Sequence, residues 1–99
     1  MAEVNVIDFH VHPFRAERFY NAWQPALTRA AGFGASSCSL TRAEDDPLHF
    51  RQTTVWEKRA DFEAYWGCDE VTAAREAAFP YYNKPLYPTW HVLVGASGE

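Results

Sequence analysis

Leu48-His49-Phe50-Arg51-Gln52-Thr53-Thr54-Val55-Trp56-Glu57 is dense in β-branched and aromatic residues and reads as a strand. Asp61-Phe62-Glu63-Ala64-Tyr65-Trp66 follows it and reads as a short helix with Phe62, Tyr65 and Trp66 on one face. This strand and helix fix the reading of their neighbours. Before it, Glu44-Asp45-Asp46-Pro47 is a turn cluster and Gly34 to Thr41 is a strand of small residues, so the two strands form a hairpin. After it, Gly67 breaks the run, and Asp69 offers an N-cap to a second helix whose buried side is Val71, Ala74 and Ala78. Phe79 to Pro88 holds three prolines and three tyrosines and is expected to wrap the surface as a loop. Thr89 to Val94 is the last strand, and Gly95 to Glu99 a polar, frayed end.

Toward the N-terminus, Val4 to His12 alternates with the period of a strand. One face carries Asn5, Ile7, Phe9 and Val11, and the other Val4, Val6, Asp8, His10 and His12. Pro13 ends it. From Phe14 to Ala31, the residues Phe19, Ala22, Trp23, Ala26, Leu27 and Ala30 form one apolar helical stripe against Arg18, Asn21, Gln24 and Arg29. Pro25 lies inside that stripe and predicts a kink or break, and Gly32 is placed to stop the helix.

The order β-α-β-β-α-β predicts an α+β, ferredoxin-like domain: a four-stranded antiparallel sheet with helices on one face. Both faces of the first strand hold apolar residues, and helices cover only one. The other face is therefore expected to be hidden by a second copy of the chain, giving a homodimer.

With 99 residues the chain is expected to be one domain over 1–99, too short for a dinucleotide-binding enzyme or an eight-stranded barrel. At 47% hydrophobic against 22% charged residues it has the apolar surface to fold. A net charge of -4 with scattered Lys and Arg argues against nucleic acid as a partner. No apolar leader follows Met1 and no stretch of about 18 apolar residues occurs, so a cytoplasmic protein without a membrane partner is expected. Cys38 and Cys68 read as two free thiols.

The run from Val55-Trp56 to Phe62 and Trp66, the earlier Asp46-Pro47-Leu48-His49-Phe50, and the element order together resemble the antibiotic biosynthesis monooxygenase family of the dimeric α/β barrel superfamily. The resemblance spans almost the whole chain. It implies oxygen addition to a phenolic, anthrone or quinol substrate with no metal, flavin or haem, because such a substrate, once deprotonated, can itself pass an electron to O₂. The protein must then supply a dry pocket, a group that lowers the substrate's pKa and donors for the developing anion. An asparagine and a tryptophan four residues apart in the family resemble Gln52 and Trp56 here, a family tyrosine falls on Phe62, and an arginine of the last helix falls near Arg75. Phe62 lacks the hydroxyl. The haem-degrading branch uses an Asn, a Trp and an axial His, whose positions correspond to Ile7, Tyr65 and Arg75; arginine cannot ligate iron, and no cofactor is expected.

Asp8-Phe9-His10-Val11-His12 places three potential ligands on one strand face. Same-face steps of about 6.5 to 7 Å are too wide to converge on one ion, so no metal is expected there. His10 is instead the first choice for a general base, followed by His91 and His49. Gln52 and Arg75 are the expected anion donors, and Trp56, Phe62, Tyr65 and Trp23 the substrate-binding wall, in a pocket between helices and sheet. Arg75 borders the buried side of its helix, from which it can reach water or turn inward. The small residues Ala35 to Ser39 are expected to leave a cavity. The reading is a cofactor-independent monooxygenase. Its rivals are a non-catalytic dimeric small-molecule-binding module and an isomerase or decarboxylase.

Overall fold

A computed structural model describes residues 2–97; Met1 and the last two residues of the expected frayed end lie outside the described residues. Four strands, β1 (Glu3–His10), β2 (Ser37–Arg42), β3 (His49–Trp56) and β4 (Thr89–Val92), form one antiparallel sheet in the order β2-β3-β1-β4. Three helices, α1 (Ala16–Arg29), α2 (Arg59–Trp66) and α3 (Asp69–Ala78), complete the ferredoxin-like α+β fold. Register in β1 follows from burial. Asn5, Ile7 and Phe9 are fully buried, and opposite them on β3 lie the buried Thr54, Gln52 and Phe50. A one-residue slip would turn this whole set to solvent.

The core lies between that sheet face and the helices. Phe9 meets Phe19 at 4.9 Å and Trp23 at 5.0 Å between ring centroids, and Ala26, Ala30, Val71, Ala74 and Ala78 close the helix side. Cys38, on β2, packs against this core, and burial pushes its thiol pKa up to about 11, which keeps it neutral.

Several local expectations are corrected. Helix α1 starts at Ala16 because Phe14 takes a left-handed backbone, φ 64°. It runs through Pro25 without a break, since Pro25 and Asn21 are exposed and water can satisfy the carbonyl that the proline leaves free. The chain then continues in a 3-10 turn over Ala30–Phe33 and stops at Gly34, not Gly32. Gly34 has φ 109°, and a Cβ there would come 3.3 Å from the Asp61 carboxylate. Cys68, not Asp69, is the N-cap of α3, and makes no side-chain cap. Phe79–Tyr81 forms a 3-10 turn inside the expected loop, and β4 ends at Val92.

The uncovered sheet face differs most from expectation. Val4, Val6 and Val55 form an apolar patch at one end, whereas Asp8, His10, His49 and Arg51 hold the other. Trp90 packs on the helix side against Phe62, at 5.3 Å. Ser37, Ser39 and Thr41 share the uncovered face with their β3 partners, so their small size shapes that surface and not an inner cavity. Val92, Leu93 and Val94 at the end of β4 are exposed, as are Phe14, Phe79 and Tyr87 elsewhere.

Candidate functional site

The residues expected to share one pocket occupy three places. In the interior, Trp23 Nε1 donates to Gln52 Oε1 at 2.8 Å, Gln52 Nε2 donates to the Tyr65 hydroxyl at 3.5 Å, and that hydroxyl donates to the Ala26 carbonyl at 2.7 Å. All three side chains are fully buried. Burial drives the Tyr65 pKa upward, so the phenol stays a neutral donor. Trp56 lies 5.5 Å from Tyr65 and 5.8 Å from Phe62, with its Nε1 donating to Thr54 Oγ1 at 2.7 Å. The space expected to hold a substrate is thus filled by these rings, and the Gln52 amide is committed to its neighbours.

The open space lies elsewhere. A groove of about 840 Å³ runs along the face of α3 that carries Thr72, Arg75 and Glu76, bounded by Trp66 and by the 79–88 segment with Phe79, Tyr82 and Lys84. The Arg75 guanidinium sits 4.5 Å over the Trp66 ring, and Nη2 donates to the Trp66 carbonyl at 2.9 Å. Arg75 Nε is buried and has no partner among the described residues. Lys84 Nζ lies 4.2 Å from the Phe79 centroid and 5.7 Å from that of Tyr82, and donates to the Phe79 carbonyl at 2.7 Å. The ion pairs among the described residues engage Arg29, His49, Arg51 and Arg59, and neither groove cation. Burial raises the Tyr82 pKa against the opposing charge of Arg75, so this wall also stays neutral. Arg75 and Lys84, neither in an ion pair among the described residues, thus share the groove with the Trp66, Phe79 and Tyr82 rings and the Glu76 carboxylate.

His10 stands apart from both. Its ring is exposed on the uncovered sheet face and stacks on His49 at 4.8 Å. His49 Nε2 contacts Asp8 Oδ1 at 2.8 Å, and Arg51 donates to both Asp8 oxygens at 2.8 and 3.4 Å. The Arg51 hydrogen bond, helped by His49 and opposed by burial, holds the Asp8 carboxyl below its ordinary range. His91, at the same face, contacts Thr89 Oγ1 at 3.2 Å, and His12 contacts Asn83 Oδ1 at 3.0 Å. Among the described residues no three His, Cys, Asp or Glu side chains are grouped to hold a metal ion. The structure therefore brings neither His10 nor Gln52 to Arg75. The sequence reading missed Tyr82 and Lys84, whose loop has no periodicity to place them. It also missed Asn5, a fully buried amide with both polar atoms unpartnered.

No family model and no curated protein matches the sequence. Solved structures do. A Nitrosomonas europaea protein provisionally named as an antibiotic biosynthesis monooxygenase superposes with a TM-score of 0.85 at 16% identity, over 94% of this chain and 99% of that one. A variant of SnoaB, a cofactor-independent oxygenase from Streptomyces nogalater, gives 0.81 at 17% identity, over 99% and 98%. This chain has the fold of the antibiotic biosynthesis monooxygenases. Within that fold the present sequence packs Gln52 and Trp56 into a closed core and leaves its open space at Arg75. Among the described residues no helix is long and apolar enough to cross a membrane.

Proposed function

We propose that the chain is a cofactor-independent monooxygenase that binds a phenol, quinol or anthrone as its anion in the α3 groove. The observation that carries this reading is Arg75, a part-buried cation with no carboxylate partner among the described residues, held over Trp66 in a groove of aromatic walls. An opposite charge within about 4 to 6 Å lowers an acid's pKa by about one to three pH units, so Arg75 promotes loss of the substrate proton to water at the open side. Among the described residues no histidine lines the groove, and none is required for that step. The carbanion or phenolate then passes one electron to O₂, and the resulting radical and superoxide combine to a peroxide. For an anthrone, loss of water from the peroxide leaves the ketone: one oxygen atom enters the product, the other leaves as water, and the CH₂ group supplies both hydrogens. Trp66, Phe79 and Tyr82 hold the ring system flat and exclude water from one side of it.

Oxygen uptake by metal-free protein with a panel of quinols and anthrones tests the proposal. Uptake that depends on Arg75 supports it, and an intact protein that binds these compounds with equal affinity under nitrogen and air, without uptake, overturns it. That second outcome is the binding-module reading, favoured by the packed interior around Gln52. Two copies are proposed to pair through the uncovered sheet face, where Val4, Val6 and Val55 supply the apolar patch. Light scattering at micromolar concentration distinguishes the dimer from a single chain of 11.3 kDa.

A further inference from the structure

The groove sets two cations, Arg75 and Lys84, at separate aromatic surfaces, and the Glu76 carboxylate also lines it. Arg75 is set over Trp66, and Lys84 over a second aromatic surface formed by Phe79 and Tyr82. One N–H of the Lys84 ammonium goes to the Phe79 carbonyl, which leaves two donors uncommitted. Glu76 forms no ion pair with either cation. The segment leading to Lys84 is pinned to the sheet. Val11 bridges to Tyr82, His12 N donates to the Tyr81 carbonyl at 2.8 Å, Asn83 N donates to the His10 carbonyl at 2.9 Å, and the His12 ring contacts Asn83. Lys84 is thereby presented from an anchored backbone, which lowers the ordering cost of using it in recognition.

We propose that Lys84 forms a second, carboxylate-reading subsite, so that the preferred ligand is an aromatic acid: a phenol or quinol ring system that also carries a carboxylate. This rests on the placement of the ligand in the α3 groove and extends it. A simple phenolate engages one of the two cations, whereas an aromatic hydroxy acid engages both. The rings beneath each cation match the flat body of such a molecule.

Calorimetric titration of the whole chain with a hydroxynaphthoate and with its methyl ester tests the subsite without involving oxygen. The acid is expected to bind about two- to fivefold more tightly than the ester, the scale of one ion pair at an exposed site. Lys84→Met is expected to abolish that preference by weakening the acid more than the ester, and Lys84→Arg to retain most of it. Lys84 is exposed, so neither change threatens the fold. Equal binding of acid and ester by the unaltered protein, or a preference that survives Lys84→Met, overturns the subsite. A Lys84-dependent preference without oxygen uptake on any quinol removes the oxygenase and leaves the subsite standing. Quinol oxidation indifferent to Lys84→Met and to a ligand carboxylate does the reverse.

Discussion

The interior around Gln52 and the groove around Arg75 are built from the same residue types, aromatic rings with one or two strong hydrogen-bonding groups, yet they do opposite things. In the interior each polar atom of the knot is matched: the Trp23 N–H to Gln52, the Gln52 amide to Tyr65, the Tyr65 hydroxyl to Ala26. At the groove Arg75 Nε is buried without a partner among the described residues, and Lys84 meets a carbonyl and ring faces. Aromatic content thus does not mark a site in this molecule. What separates the Gln52 knot from the groove is that the knot's polar groups hold one another in a closed space, whereas Asn5 on the same sheet face is buried with neither amide atom partnered among the described residues.

The contrast is broken most severely by Trp23→Ala. This removes a fully buried ring in contact with Phe9 and Trp66 and orphans Gln52 Oε1, and should cost about 3 to 5 kcal/mol of unfolding free energy in urea titrations. A loss below about 1 kcal/mol would mean that the interior tolerates open space and is itself a latent pocket. Gln52→Leu keeps the volume but strands the Trp23 N–H, with an expected cost of about 1 to 3 kcal/mol. Arg75→Met should behave differently. Its stability should stay within about 1 kcal/mol of the parent, because the methionine retains contact with Trp66, while affinity for a hydroxynaphthoate falls about tenfold. A variant that loses stability and keeps affinity would make Arg75 a packing residue and move the groove into the same class as the interior.

Much of this contrast lies beyond what one sequence can state. Alternation in Val4 to His12 separates Ile7 and Phe9 from Asp8 and His10 correctly, so the placement of His10 away from the helices is legible once Ile7 and Phe9 are given to the core. What alternation cannot give is register. Asp8 opposite Arg51 and His10 opposite His49 are long-range pairings, set by which strands neighbour each other. The helical stripe of α1 and the buried side of α3 are legible because their period is local: Phe19, Trp23, Ala26 and Ala30, and Val71, Ala74 and Ala78, are all buried as the spacing requires. The groove is not legible, because one wall is the aperiodic 79–88 segment and the other is the solvent-facing side of α3. Gln52 beside Trp56 reads as chemistry in the sequence, and only their hydrogen-bond partners show that both are committed to packing.

The uncovered sheet face supplies a sharper form of the comparison, since Asp8 is partnered like the interior and wet like the groove. Its carboxylate takes hydrogen bonds from Arg51 and contacts His49, with a side-chain exposure of 36%. The folded pKa lies below the unfolded one, so the charge–charge contribution is present above the unfolded value and is lost as pH falls through the folded value. Asp8→Asn should therefore cost stability by a constant amount from about pH 5 upward, and the gap to the parent should shrink as pH falls below about 4. Solvent screening at a site this exposed holds the effect under about 1 kcal/mol, and added salt should reduce it further. If partnering alone governed the interior's stability, Asp8 would match Gln52 in cost. A loss several-fold smaller than that of Gln52→Leu, and sensitive to both salt and pH, would show that partnered polar groups stabilise this fold strongly only where water is excluded; an equal loss that ignores salt and pH would place the Asp8 cluster with the core.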